Sequence, residues 1–235
     1  MEIILLSLIA VTIIVCVKNV VLIRDLIISK NYKKIYSAVL SNDSEAINKI
    51  KEFLTTEKNP YLIAKANVLL MYLSLINNED VEEIINNINY ENIFLQNGKY
   101  KKNHVNLNSD MIIWTLASMP RLKKINKLDA IKEKMDKLED KLSNHVEYKV
   151  FKAVYSLLNG NEEESKFLDD LVNGEYSGVE YDKQLIGVTK RISLAYIASK
   201  NKEMNFEYTD ELKILASTMI GRNLLTDLEI YEIYK

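Results

Sequence analysis

Two histidines, one cysteine and a few paired acids are the residues from which this chain could build a reactive site. His104 and His145 stand 41 positions apart, and neither has a second His or Cys at metal-ligand spacing. Both lie in or beside polar joints, so each is read as solvated or locally hydrogen-bonded. Cys16 lies inside a long apolar run, where a thiolate is disfavoured and a nucleophile is poorly placed. Being alone, it excludes an intramolecular disulfide and any multi-cysteine metal site. The acids Glu162 to Glu164 open an amphipathic stretch, where carboxylates complement the helix dipole without any catalytic role. Dinucleotide, phosphate-loop and nucleophile-elbow motifs are missing from the sequence. These residues therefore predict a non-enzymatic protein, with no catalytic, metal or cofactor residue and no small-molecule substrate.

The elements around them read as helices. The chain has 235 residues and a formal charge of −2, which argues against a general nucleic-acid binder. It contains two Pro and six Gly, and neither type precedes Pro60, so few positions break a helix. Lys far outnumbers Arg, and Asn and Ile are abundant, as in an A+T-rich bacterial genome. Apolar residues recur at helical spacing in Ile35, Val39 and Leu40, then in Ala46, Ile47, Ile50, Phe53 and Leu54 beyond the capping stretch SNDS. Pro60 opens PYLIAKANVLLMYLSLI at the first-turn position that proline favours. Asn97-Gly98 is the preferred pair for a tight hairpin turn. The flanks within residues 93–102 alternate poorly, however, so an irregular loop is expected there.

The N-terminus predicts a membrane anchor. Residues 3–23 are apolar apart from Ser7, Thr12, Lys18 and Asn19, and as a helix they would span about 31 Å, close to a bilayer core. No Lys or Arg precedes Lys18 and no small-residue cleavage triplet follows, unlike a secretory signal. Lys18 sits near the end of the run, where its stem reaches the headgroups. The bases are Lys18 near the end of the run and Arg24, Lys30, Lys33 and Lys34 beyond it, against none before it. That imbalance predicts a single pass with the N-terminus outside and the C-terminal domain cytoplasmic. The division expected is residues 1–23 as transmembrane anchor and 24–235 as a helical domain.

Three helix-loop-helix joints in that domain look alike. Tyr36-Val39-Asn42-Asp43, Tyr72-Leu75-Asn78-Glu79 and Tyr155-Leu158-Asn161-Glu162 share one spacing, and weaker copies begin at Trp114 and Tyr196. A single helical hairpin cannot bury its apolar face, whereas stacked hairpins form a continuous core. This predicts an all-α fold with an α-solenoid of about five hairpins stacked in chain order, and equivalent buried places for Tyr72 and Tyr155. The joints LSNDSEAI and LNGNEEES resemble degenerate tetratricopeptide repeats, with Ala46 matching the small packing residue. The Trp-Leu-Gly-Tyr pattern of that family is absent, and spacings near 41 approach those of HEAT-type repeats. The resemblance implies protein partners bound along a concave surface.

A further stripe, Leu128, Ile131, Met135, Leu138 and Leu142, has coiled-coil spacing and is expected to face its own neighbouring hairpin rather than a partner helix. The function expected is a membrane-anchored helical-repeat adaptor or scaffold that gathers protein partners at the cytoplasmic membrane surface. The alternative is an accessory subunit of a multi-pass membrane complex, in which residues 3–23 pack on partner helices and Lys18 meets an acid there.

Overall fold

A computed structural model describes residues 30–200 and 209–235, without the side chains of residues 162–164. The predicted anchor at residues 3–23, with Cys16 and Lys18, lies outside the described residues. Among those described, no helix is long and apolar enough to cross a membrane. The chain divides into two units after Lys58, and the described part is all-α apart from one two-stranded hairpin.

The first unit contains α1, described over residues 30–40, and α2 (Ala46–Thr56). Asp43 Oδ1 accepts from the Glu45 backbone N–H at 2.9 Å, an Asx turn that leads into α2, whereas Glu45 at the cap position itself makes no side-chain capping bond. Ile35, Val39, Ala46, Ile50 and Phe53 are buried. The Tyr32 ring meets Phe53 edge-on at 6.3 Å.

The second unit begins with α3 (Pro60–Ile76), where Asn59 caps the first turn by accepting from Tyr61 N at 3.1 Å. Every residue from Ala64 to Leu75 is buried. A helix apolar on all sides belongs inside a fold rather than on its surface. Next come α4 (Glu82–Asn87) and α5 (Tyr90–Phe94), strands β1 (Leu95–Gln96) and β2 (Lys99–Tyr100), α6 (Lys102–Asn108) and α7 (Asp110–Lys124). The irregular loop expected at residues 93–102 is instead a hairpin, pairing Leu95 with Tyr100 and Gln96 with Lys99. Asn97 and Gly98 take φ of 53° and 71°. Those two residues set the turn by themselves, so alternation in such short flanks carries no weight.

The chain continues through α8 (Leu128–Asp136), α9 (Glu139–Leu142), α10 (Val146–Leu158), α11 (Glu162–Val172), α12 (Ile186–Lys200), α13 (Thr209–Ala216), α14 (Met219–Asp227) and α15 (Tyr231–Tyr234). Leu128, Ile131, Met135, Leu138 and Leu142 are all buried, as expected of a stripe facing its own neighbours. The helix breaks between Asp136 and Glu139, so the stripe is no continuous seam.

Helix α7 is the hub, packing against α3, α10, α12 and α14. Its interior holds Pro120, which has no N–H to give the Leu116 carbonyl one turn back. The buried Tyr196 hydroxyl of α12 donates to that carbonyl at 2.6 Å instead. Trp114 meets Tyr72 edge-on at 4.8 Å. Hence Tyr72, Trp114 and Tyr196, read from sequence as marks of separate repeats, converge on one hub.

Stacking strictly in chain order does not hold, because α14 returns to α7. There Asn223 Nδ2 donates to the Tyr72 hydroxyl at 3.0 Å, and Arg121 Nε pairs with Asp227 at 2.7 Å. Nor are Tyr72 and Tyr155 equivalent: Tyr72 is 2 % exposed, while Tyr155 is half-buried with its hydroxyl on Asp129. The joints explain the difference. Each helix ends on a left-handed residue, Asn42, Asn78 or Gly160. Around each, the next N–H bonds back to a carbonyl five residues earlier: Asp43 to Ala38, Glu79 to Ser74 and Asn161 to Ser156. The third joint therefore registers on Gly160, not Asn161, and the partner of Tyr72 is Val154. A slip of one residue turns a helical side chain by about 100°, which carries Tyr155 towards the surface.

Candidate functional site

Helix α6 is short and polar, and its two faces meet two different groups of buried polar residues. Positions four apart share a face, so His104 and Asn108 look one way while Lys102 and Asn106 look the other.

On the first face, Asn108 is fully buried and holds two donors from α3. Tyr61 Oη donates to Asn108 Oδ1 at 2.6 Å and Lys65 Nζ to the same oxygen at 3.1 Å. Asn108 Nδ2 is satisfied by the His104 carbonyl at 2.7 Å. Lys65 is 7 % exposed, and its ammonium lies 4.0 Å from Asp110 Oδ1. Burial pulls the Lys65 pKa down, and the Asp110 carboxylate only partly offsets this. Burial pushes Tyr61 up, helped by Asp110 and opposed by the bond to Asn108. His104 is half-buried against the Tyr61 ring at 5.5 Å, beside an amide-rich cleft of about 430 Å³ that includes Asn92 and Gln96. Burial lowers its pKa, against a hydrogen bond with the Ile93 backbone that raises it.

On the second face, Asn106 Oδ1 lies 3.3 Å from His145 Nε2. His145 Nδ1 is 2.7 Å from Glu147 Oε2, and the two side chains are 1 % and 0 % exposed. His145 is thus sealed inside the fold: of the two states expected, solvated or locally hydrogen-bonded, burial excludes the first, and the Asn106 contact fits the second. Its backbone neighbours fix the segment before α12: Val146 N donates to Glu180 O at 2.7 Å, and Glu180 N to Asn144 O at 2.9 Å. The Glu180 side chain ties that segment to the hairpin, accepting from the Tyr100 hydroxyl and pairing with Lys102 at 3.5 Å. The Tyr100 bond, with Lys102 and His145 nearby, holds Glu180 below its ordinary pKa despite some burial. Tyr100 is pushed up to about 12 by burial and by Glu180.

Above this network is an open cleft of about 630 Å³, lined by Lys102, Leu107, Asp110, Glu180, Asp182 and Lys183 among others. Leu107 is 76 % exposed. The cleft so joins an uncovered aliphatic side chain to charges of both signs. The His145–Glu147 pair beneath it presents almost no surface to a ligand. Among the described residues, no three His, Cys, Asp or Glu side chains converge as metal ligands would.

Sequence reading gave His104 and His145 no common site, and the structure sets them on opposite sides of α6. It passed over Lys65, Asn108 and Glu147. Lys65 carried a signal: it stands within a helix apolar on every side, where a charge must be buried. Glu147 carried none, because a carboxylate in the first turn of a helix is ordinarily exposed and nothing local marks this one as buried. No protein family, curated protein or solved structure matches the chain.

Proposed function

We propose that this protein is a non-enzymatic, membrane-anchored helical-repeat adaptor that gathers protein partners at the cytoplasmic membrane surface. In this reading the domain is an α-solenoid of tetratricopeptide-like hairpins whose last hairpin turns back onto α7. The shared left-handed helix ends at Asn42, Asn78 and Gly160 support it. The observation that carries partner binding is the cleft beside α6, where Leu107 is 76 % exposed among charges of both signs. An exposed aliphatic anchor inside a charged rim suits a polypeptide, which offers apolar and ionic groups together. The sealed His145–Glu147 pair supports a binding role over a chemical one, since a general base must reach its substrate. The apolar run at residues 3–23 supports the tether, and tethering raises the local concentration of whatever is bound.

The test is photo-crosslinking in cells from position 107 or 183, with position 51 as control. One partner captured from both cleft positions, and not from 51, is the expected result. Capture equal at all three overturns the cleft assignment. Lys18 within the apolar run favours a second reading, an accessory subunit of a multi-pass complex. Loss of every partner when residues 1–23 are removed selects that reading over the adaptor.

A further inference from the structure

We propose that the exposed face of α1 is a docking surface for the headgroup layer of an anionic bilayer, so that the first hairpin lies on the membrane instead of hanging from it. The proposal rests on the reading of residues 3–23 as an anchor and adds to it the partner of a particular face.

At about 100° per residue, Lys30, Lys33, Lys34 and Ser37 fall within an arc of about 100° on α1. All four are exposed. Ile35 and Val39, on the other side of the helix, are buried, and so is Ala38, which borders the arc about 40° beyond Lys34. No acid occurs between Leu26 and Asn42. The first one beyond, Asp43, is held by Lys49 at 2.5 Å. Among the described residues no ion pair engages Lys30, Lys33 or Lys34. Three like charges on one face repel one another in water, and an anionic surface removes that repulsion. Leu40, 51 % exposed, flanks the arc next to Lys33 and supplies an aliphatic group at the depth of the acyl boundary. Position matters as much as charge. Lys30 follows Ile23 by seven residues, at most about 25 Å of chain, so this face cannot leave the neighbourhood of the bilayer once the run is inserted.

Each surface lysine near anionic lipid is worth about fivefold in the ratio of docked to undocked states. Three of them amount to about a hundredfold. The experiment uses the full chain carrying Cys16→Ser and Ser37→Cys, with a nitroxide on position 37. The protein is placed in nanodiscs of phosphatidylcholine alone or mixed with phosphatidylglycerol. Collisions with a water-soluble nickel chelate are compared with those of dissolved oxygen. The expected result is a label shielded from the chelate only in the anionic discs. Shielding should vanish in high salt and in the Lys30→Glu, Lys33→Glu, Lys34→Glu triple variant. A label equally open to the chelate in both lipids, on protein that co-purifies with the discs, overturns the docking proposal alone. Protein absent from the disc fraction overturns the anchor reading, and docking with it.

Discussion

Tyr196→Phe tests how the hub tolerates a proline. The Tyr196 hydroxyl donates to Leu116 O at 2.6 Å, and both residues are 0 % exposed. Removing one oxygen leaves the packing of the ring intact and strips a buried carbonyl of the donor that Pro120 cannot supply. An unsatisfied buried acceptor costs about 1–3 kcal/mol, so urea melts followed by far-UV ellipticity should show that loss. The melting temperature should fall by about 2–4 °C per kcal/mol in a domain of this size. Pro120→Ala restores an N–H one turn beyond Leu116, and in that background Tyr196→Phe should cost less than about 0.5 kcal/mol. The coupling energy is therefore about 0.5–3 kcal/mol, whatever Pro120→Ala does to packing alone. An equal cost of Tyr196→Phe in both backgrounds would refute the exchange of donors.

Other consequences can be measured on the same footing. Tyr72→Ala should cost about 3–5 kcal/mol and Tyr155→Ala less than about 1 kcal/mol, and equal losses in denaturant melts would restore the equivalence that the joints deny. Gly221→Ala should destabilise by about 3 kcal/mol, because a Cβ there would stand 2.0 Å from the Leu215 carbonyl oxygen; a neutral result in thermal melts would mean that the α13–α14 corner relaxes freely. The lowered Lys65 pKa means that the folded state holds fewer protons than the unfolded one just below the ordinary lysine value, so stability should rise as pH climbs through the lowered pKa towards 10.5. Lys65→Met should flatten that rise, and an unchanged slope would show that Lys65 is not its source. Glu180 has the same sign in a lower window: its lowered pKa gives stability that is present above the ordinary value of 4.5 and is lost as pH falls further, a loss that Glu180→Gln should abolish.

Much of the helical framework was legible in the sequence because it is local. Pro60 at a first turn, the Asp43 turn before α2 and the stripe from Leu128 to Leu142 are each set by residues a few positions apart. The register of the third joint was legible too, had Gly160 been weighed above Asn161, since glycine adopts the left-handed conformation at less cost. What the sequence did not disclose depends on distant crossings. The return of α14 to α7 joins Asn223 to Tyr72, and no periodicity within either helix encodes it. The two faces of α6 likewise acquire meaning only from α3 on one side and α10 on the other. His145 looks like a joint residue in one dimension and becomes a core residue in three.

The bond between Tyr72 and Asn223 spans 151 positions of chain. A ribosome adding about 5–20 residues per second takes roughly 8–30 s to cover that interval. For that time α3 has been made and its last neighbour has not. Its apolar sides, from Ala64 to Leu75, must wait in a half-built protein while the rest of the hub is synthesised. If residues 3–23 insert early, the wait takes place at the membrane, where the nascent chain is held apart from its siblings. The interval makes α3 the segment that a chaperone has most reason to grip, and a stop codon between α3 and α14 should yield a chain that aggregates.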